Sequence, residues 1–140
     1  MWLQVLSLTA SKVTESLWVG DWQDAKEARE AHHLVEIVTT AFDSPFVGDV
    51  QFMLVDGPAD GNEKIFWEAV KQVESLQSGG VLTLVHCVAG VSRSCSVVIA
   101  YLMKSQSIDY NAALTELRKV RPSANPQPFF ENLLRNEKEQ

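Results

Sequence analysis

Residues 84–96 read LVHCVAGVSRSCS, and the fold turns on how this stretch is parsed. The run VLTLV over 81–85 is short, continuous and apolar, the pattern of a strand covered on both faces of a parallel sheet. After the loop, SCSVVIAYLMKS is apolar nearly all the way round a helical wheel and predicts a central helix. Between the two lie His86, Cys87, a loop of small residues and Arg93. A buried strand that ends on a soft nucleophile and passes through a glycine turn to a fixed cation predicts a site, where a plain turn would need only turn formers.

Outward from that stretch, strands and helices alternate. Leu17 to Val19 reads as a strand ended by Gly20, and Asp21 caps a helix running to about His32. A second strand follows near Glu36 to Thr40, and AFDSPFVG is a loop. Residues 50–55 predict a strand running into Asp56, and Asn62 is placed to cap a helix from Glu63 to Gln77. Two more helices are expected, one capped by Asp109 and one with proline in its opening turn in PQPFFENLLRNE. The reading is an α/β fold: one domain over 1–140, with a central, largely parallel sheet of four to five strands flanked by helices. Strand 50–55, helix 63–77 and strand 81–85 form a βαβ unit, so Asp56 and Cys87 fall at the same edge of the sheet, where open α/β sheets place their ligands.

Composition narrows the function. With 140 residues, 46% of them hydrophobic, the chain suffices for one sizeable core. A net charge of −6 argues against nucleic acid or an anionic membrane as partner. The opening MWLQVLSLTASK lacks the early positive charge and long apolar run of a signal peptide or membrane span, so the expectation is a cytoplasmic monomer with both cysteines reduced. Two cysteines eight positions apart form neither a disulfide framework nor a zinc site, and no cofactor or metal is expected.

The loop from Val88 to Arg93 contains Ala89, Gly90, Val91 and Ser92, and Gly90 is free to take backbone angles closed to other residues. Such a loop can turn successive N–H groups into one concavity, and the helix that follows adds its positive end. The concavity suits a phosphate. The same dipoles, with Arg93, favour the thiolate of Cys87 over the thiol. A planar guanidinium grips two phosphate oxygens and follows the charge that spreads over the equatorial oxygens in phosphoryl transfer.

At this point HCVAGVSRS resembles the His-Cys-x5-Arg-Ser phosphate-binding loop of the protein tyrosine phosphatases, and its Ala-Gly-Val-Ser-Arg-Ser core is most similar to the dual-specificity phosphatases. SLWVGDWQDA, AYLMKSQSIDYNAAL and RPSANPQPFF resemble further family segments. The resemblance implies a phosphatase-type phosphate loop between the last strand and the central helix. It implies that Cys87 attacks phosphorus, that Arg93 and the backbone of Val88, Ala89, Gly90, Val91 and Ser92 hold the phosphate, and that Ser94 helps the thiolate leave. His86 would orient the cysteine from behind. The family's general acid maps to Asp56, with Asp60 in the same loop as competitor. The implied substrate is phosphotyrosine and phosphoserine or phosphothreonine of proteins. Two alternatives stand beside it: a phosphoprotein-binding module without turnover, and the same chemistry on a phosphoinositide, nucleotide or RNA 5′-phosphate.

Some residues read more plainly. Many members have Pro-Asn where this chain has Pro126-Gln127, and Leu133 takes a common Gln position, so amide bonds to the phosphate loop have no obvious counterpart. Val88 and Val91 differ from the lysines of members acting on polyphosphorylated inositol lipids, which weakens the lipid alternative. Cys95 reads as a packing residue rather than a disulfide partner of Cys87. Trp2, Trp18, Trp22 and Trp67 read as core or boundary residues, His32-His33 as a solvated helix end, and Arg118, Lys119 and Arg121 as a favourable helix C-terminus.

Overall fold

The computed structural model describes residues 8–31 and 34–137. Strands β1 (Ser11–Thr14), β2 (Leu17–Gly20), β3 (Glu36–Thr39), β4 (Val50–Gln51) and β5 (Thr83–His86) form one five-stranded sheet in the order β1-β2-β5-β3-β4. The pairs β2–β5, β5–β3 and β3–β4 are parallel, and β1 alone is antiparallel, on β2. The helices are α1 (Trp22–Glu30), α2 (Asn62–Ser78), α3 (Arg93–Gln106), α4 (Tyr110–Arg118) and α5 (Pro128–Arg135). Among the described residues no helix is long and apolar enough to cross a membrane.

Period-two alternation in the three central strands splits the core between the faces of the sheet. Leu17, Val19, Val38 and Val85 point to the larger layer, with α2, α3, α4 and α5. Trp18, Ile37 and Leu84 point the other way, onto Ala25 and Ala28 of α1. Helix α3 fits its apolar sequence, packing on α2, α4 and the sheet with Val97, Val98 and Ile99 fully buried. Trp18 is buried, Trp22 and Trp67 are half-buried, and Trp2 and His32-His33 lie outside the described residues.

Several boundaries differ from expectation. Strand β1 is absent from the sequence reading because SKVT has one apolar residue, and only pairing with β2 makes it a strand. Strand β4 ends at Gln51, short of the expected 55. It is the sheet edge, and after the Phe52 N–H reaches the Thr39 carbonyl at 2.8 Å the chain bends away, with Leu54 buried and its carbonyl accepting from the Phe42 N–H at 3.2 Å. Strand β5 extends to His86. Helix α1 begins at its Asp21 cap, where Asp21 and Asp24 each accept from the other's backbone, and it ends at Glu30, earlier than read.

Asn62 does not cap α2. Gly61, at φ 81°, holds the cap position, and Asn62 is the first helical residue. Its buried side chain accepts from the Val55 N–H at 3.0 Å and donates to the carbonyls of Val55 and Gly57 at 2.9 and 2.7 Å. Asn62 thus folds the loop bearing Asp56 back onto α2. Asp109 caps α4 through the Ala112 N–H, and α5 opens on Pro128, both as read.

With β3, β4 and β5 parallel, Asp43, Asp56 and Cys87 follow their carboxyl ends at one edge of the sheet. Replacing Asn62 with Ala leaves the buried Gly57 carbonyl and the part-buried Val55 groups without their partner, so it should cost about 2 kcal/mol of stability, read as a lower urea midpoint with unchanged slope. An unchanged midpoint would deny Asn62 this part.

Candidate active site

The loop leaving β5 is bonded almost entirely through its carbonyls. His86 Nδ1 lies 3.1 Å from the Cys87 carbonyl, and the Trp22 N–H donates to Val88 O at 3.3 Å. Gly90 O accepts from Arg121 Nε at 2.6 Å and Cys95 Sγ at 3.4 Å, and Val91 O from the Asn125 N–H at 2.8 Å. Ser92 O accepts from the Ser96 N–H and hydroxyl at 2.8 and 2.6 Å. The loop amides differ. Gly90 N–H turns to Cys87 Sγ at 3.3 Å, while the N–H groups of Val88, Ala89, Val91, Ser92 and Arg93 have no acceptor among the described residues. A loop whose carbonyls are held by the scaffold and whose amides are left free is built for an anion.

Gly90 makes the turn with φ 68°, and a Cβ there would sit 2.7 Å from the Gly20 backbone and 2.3 Å from Arg121 Nη2. Arg121 also donates to Ser11 Oγ at 3.0 Å, tying β1 to the loop. The charge-cluster reading therefore missed a structural brace 31 positions from its partner. Cys95 is fully buried, as a packing residue should be, and burial followed by the nearby Cys87 pushes its thiol up to about 12.

Cys87 is buried at the floor of a cleft of about 500 Å³, with Ser94 Oγ 3.1 Å from its sulfur. His86 is fully buried beneath it. Because the Cys87 carbonyl can only accept, Nδ1 carries the hydrogen and Nε2 accepts from Thr39 Oγ1 at 2.7 Å, while Thr39 Oγ1 accepts from the Gly48 N–H at 2.8 Å. Desolvation lowers the His86 pKa below its ordinary 6.5, against the smaller opposing effect of the Cys87 carbonyl.

Asp56 and Asp43 line the same cleft, and Asp60 does not. Asp56 Oδ1 accepts from Ser92 Oγ at 2.6 Å, and Ser92 Oγ in turn accepts from the Gln127 N–H at 2.9 Å. Arg93, its side chain 8% exposed, donates from Nη1 to Asp43 Oδ1 at 2.7 Å and to Leu54 O at 3.0 Å. Asp43 escaped the sequence reading, since nothing local in AFDSP distinguishes it from a turn former. A larger groove of about 1070 Å³ opens across the outer ends of α2, α3, α4 and α5. Among the described residues no cysteine or histidine lines it, and its cations are paired, Lys104 with Glu74 and Arg135 with Glu131.

The family model described as the dual specificity phosphatase catalytic domain matches residues 17–139. The chain belongs to the dual-specificity phosphatase family. It is 32% identical over 130 residues to dual specificity protein phosphatase 22 of Homo sapiens, covering 89% of this chain and 71% of that protein. It is 33% identical over 132 residues to dual specificity protein phosphatase 15 of Rattus norvegicus, spanning 55% of its length. The crystal structure of DUSP15 superposes with a TM-score of 0.76 at 27% identity, over 90% of this chain and 85% of that one. In this dual-specificity phosphatase the Gln127 N–H bonds Ser92 of the loop, while the Gln127 side chain caps α5 by accepting from the Phe129 N–H at 2.9 Å.

Above about pH 6.5 His86 is neutral in both folded and unfolded chains; below it the unfolded chain protonates first, so stability falls with pH until the lower folded pKa is passed. Urea midpoints between about pH 7 and pH 5 should show this, with a shallower decline in His86→Gln; equal slopes would contradict it. Gly90→Ala, at a left-handed turn with no room for a methyl, should lose more stability than the ~1 kcal/mol of an ordinary exposed Gly→Ala strain, together with phosphate binding. A stable Gly90→Ala protein that still binds phosphate would contradict the loop geometry.

Proposed function

We propose that this chain hydrolyses phosphate monoesters of tyrosine and of serine or threonine in proteins through a cysteinyl-phosphate. The observation that carries this reading is the convergence on one cleft of Cys87 Sγ, the free loop amides and the unpaired edge of Arg93.

In the first step the Cys87 thiolate attacks phosphorus. The S–P bond forms, the P–O bond to the leaving group breaks, and the proton on Asp56 passes to the departing oxygen. Because Ser92 donates to Asp56 Oδ1, the opposite oxygen, Oδ2, is the one left to carry that proton. In the second step the Asp56 carboxylate takes a proton from water as that water attacks phosphorus, and the S–P bond breaks. Ser94, 3.1 Å from the sulfur, donates its hydroxyl hydrogen to the departing thiolate. Throughout, Arg93 and the loop amides hold the three equatorial oxygens. The sequence calls no metal or cofactor into these steps. His86 acts from behind, fixing the Cys87 carbonyl through Nδ1.

Asp43 and Asp56 are exposed and line the cleft above the buried Cys87. A chain of 140 residues has little length for the extra loops that would deepen that cleft, which supports short phosphorylated side chains as well as long ones as substrates. A reactive thiol needs a reducing compartment, which supports a cytoplasmic place for the chain, and the net charge of −6 supports protein over nucleic acid as substrate.

Cys87→Ser should abolish turnover of p-nitrophenyl phosphate in the presence of a chelator, and full retention of activity would overturn the reading. Asp56→Asn should lower kcat by about 10² to 10⁴ on phenyl phosphate and far less on p-nitrophenyl phosphate, whose leaving group needs little protonation. If Asp60→Asn shows that dependence and Asp56→Asn does not, the acid is Asp60.

A further inference from the structure

We propose that Asp43 is a positioning residue that sets the plane of the Arg93 guanidinium, so that the Nε–Nη2 edge meets the phosphoryl group. The proposal rests on Arg93 as the phosphate grip. Arginine Nη1 carries two hydrogens, and both are placed: one on Asp43 Oδ1 at 2.7 Å, the other on Leu54 O at 3.0 Å. Nε and Nη2 have no protein acceptor among the described residues, although the side chain is only 8% exposed. Buried donors without partners are costly unless a ligand takes them, and this edge is the fork that grips two oxygens side by side.

The two acceptors form one support. The Phe42 N–H bonds Leu54 O at 3.2 Å, so the backbone next to Asp43 is fastened to the residue that supplies the second acceptor. Asp43 follows β3 and Arg93 opens α3, so the pair joins elements 50 positions apart in sequence. Leu54 O alone would leave the guanidinium free to swing about a single bond; the carboxylate fixes its plane. That plane matters most when the phosphoryl group flattens and its equatorial oxygens swing toward the fork.

Asp43 also places a negative charge near a dianion, an effect of opposite sign. Its side chain is 47% exposed, so water screens that repulsion, and the ion pair with Arg93 offsets it further. Orientation therefore outweighs repulsion.

The test compares Asp43→Ala with Asp43→Asn, which keeps an acceptor oxygen without the charge, on p-nitrophenyl phosphate and phenyl phosphate. Binding of vanadate, which mimics the five-coordinate phosphorus, is measured beside that of inorganic phosphate. Asp43→Ala should lower kcat by roughly ten- to a hundredfold, equally on both substrates, and weaken vanadate more than phosphate. Asp43→Asn, isosteric and so safest for folding, should recover part of that loss. Unchanged or faster turnover in Asp43→Ala, or equal losses in both variants, would overturn the proposal. A loss that grows with the basicity of the leaving group would make Asp43 the proton donor, overturning both this proposal and the role given to Asp56. Arg93→Lys separates the two levels: if it turns over at the wild-type rate, the phosphate grip itself is wrong.

Discussion

The site depends on a one-sided division of hydrogen bonds in residues 87–93. Backbone N–H and C=O groups buried together must all find partners, and here the scaffold takes the carbonyls. Trp22 from α1, Arg121 from the segment after α4, Asn125 from the approach to α5, and Cys95 and Ser96 from α3 each supply a donor to a loop carbonyl. Apart from Gly90, whose N–H bonds the Cys87 sulfur, the amides are left without an acceptor among the described residues. Elements from both faces of the sheet thus brace the anion cradle from its carbonyl side, and α3 adds Arg93 to it.

The same logic extends to the side chains at the rim. Three parallel strands end at one edge, and each supplies one group: Asp43 after β3, Asp56 after β4, Cys87 after β5. Each is then held by a partner from a different element. Asn62 in α2 folds back the Asp56 loop, Ser92 receives the Gln127 amide and donates to Asp56, and Asp43 shares Arg93 with Leu54. The nucleophile is the least adjustable, since His86 beneath it is buried and its ring is fixed at both nitrogens.

What was legible in the sequence is what is local. The apolar run before His86, the small residues of the loop and the apolar α3 sit within about twenty-five positions, and their pattern gave the α/β order, the loop and the family resemblance. The place of Asp56 at the sheet edge beside Cys87 was legible because a βαβ unit fixes which edge a strand ends on. Asp43 and Arg121 were not, since each takes its meaning from a partner 50 or 31 positions away that no periodicity encodes. Asn62 misled for a related reason: asparagine before a helical pattern resembles a cap, while its side chain answers to Val55 and Gly57. Strand β1 and the short β4 are products of pairing and edge position, which the residues of SKVT and VQFMLV do not announce.

If the cradle delivers phosphorus to the sulfur of Cys87, the phosphoryl group can be caught there: the protein is quenched in alkaline denaturant during turnover of p-nitrophenyl phosphate, digested, and its peptides weighed. One phosphoryl group on the peptide containing Cys87, missing from the Cys87→Ser protein, is the result predicted. Steady turnover with that peptide unmodified in an early quench, and the phosphoryl group found on another residue, would contradict it.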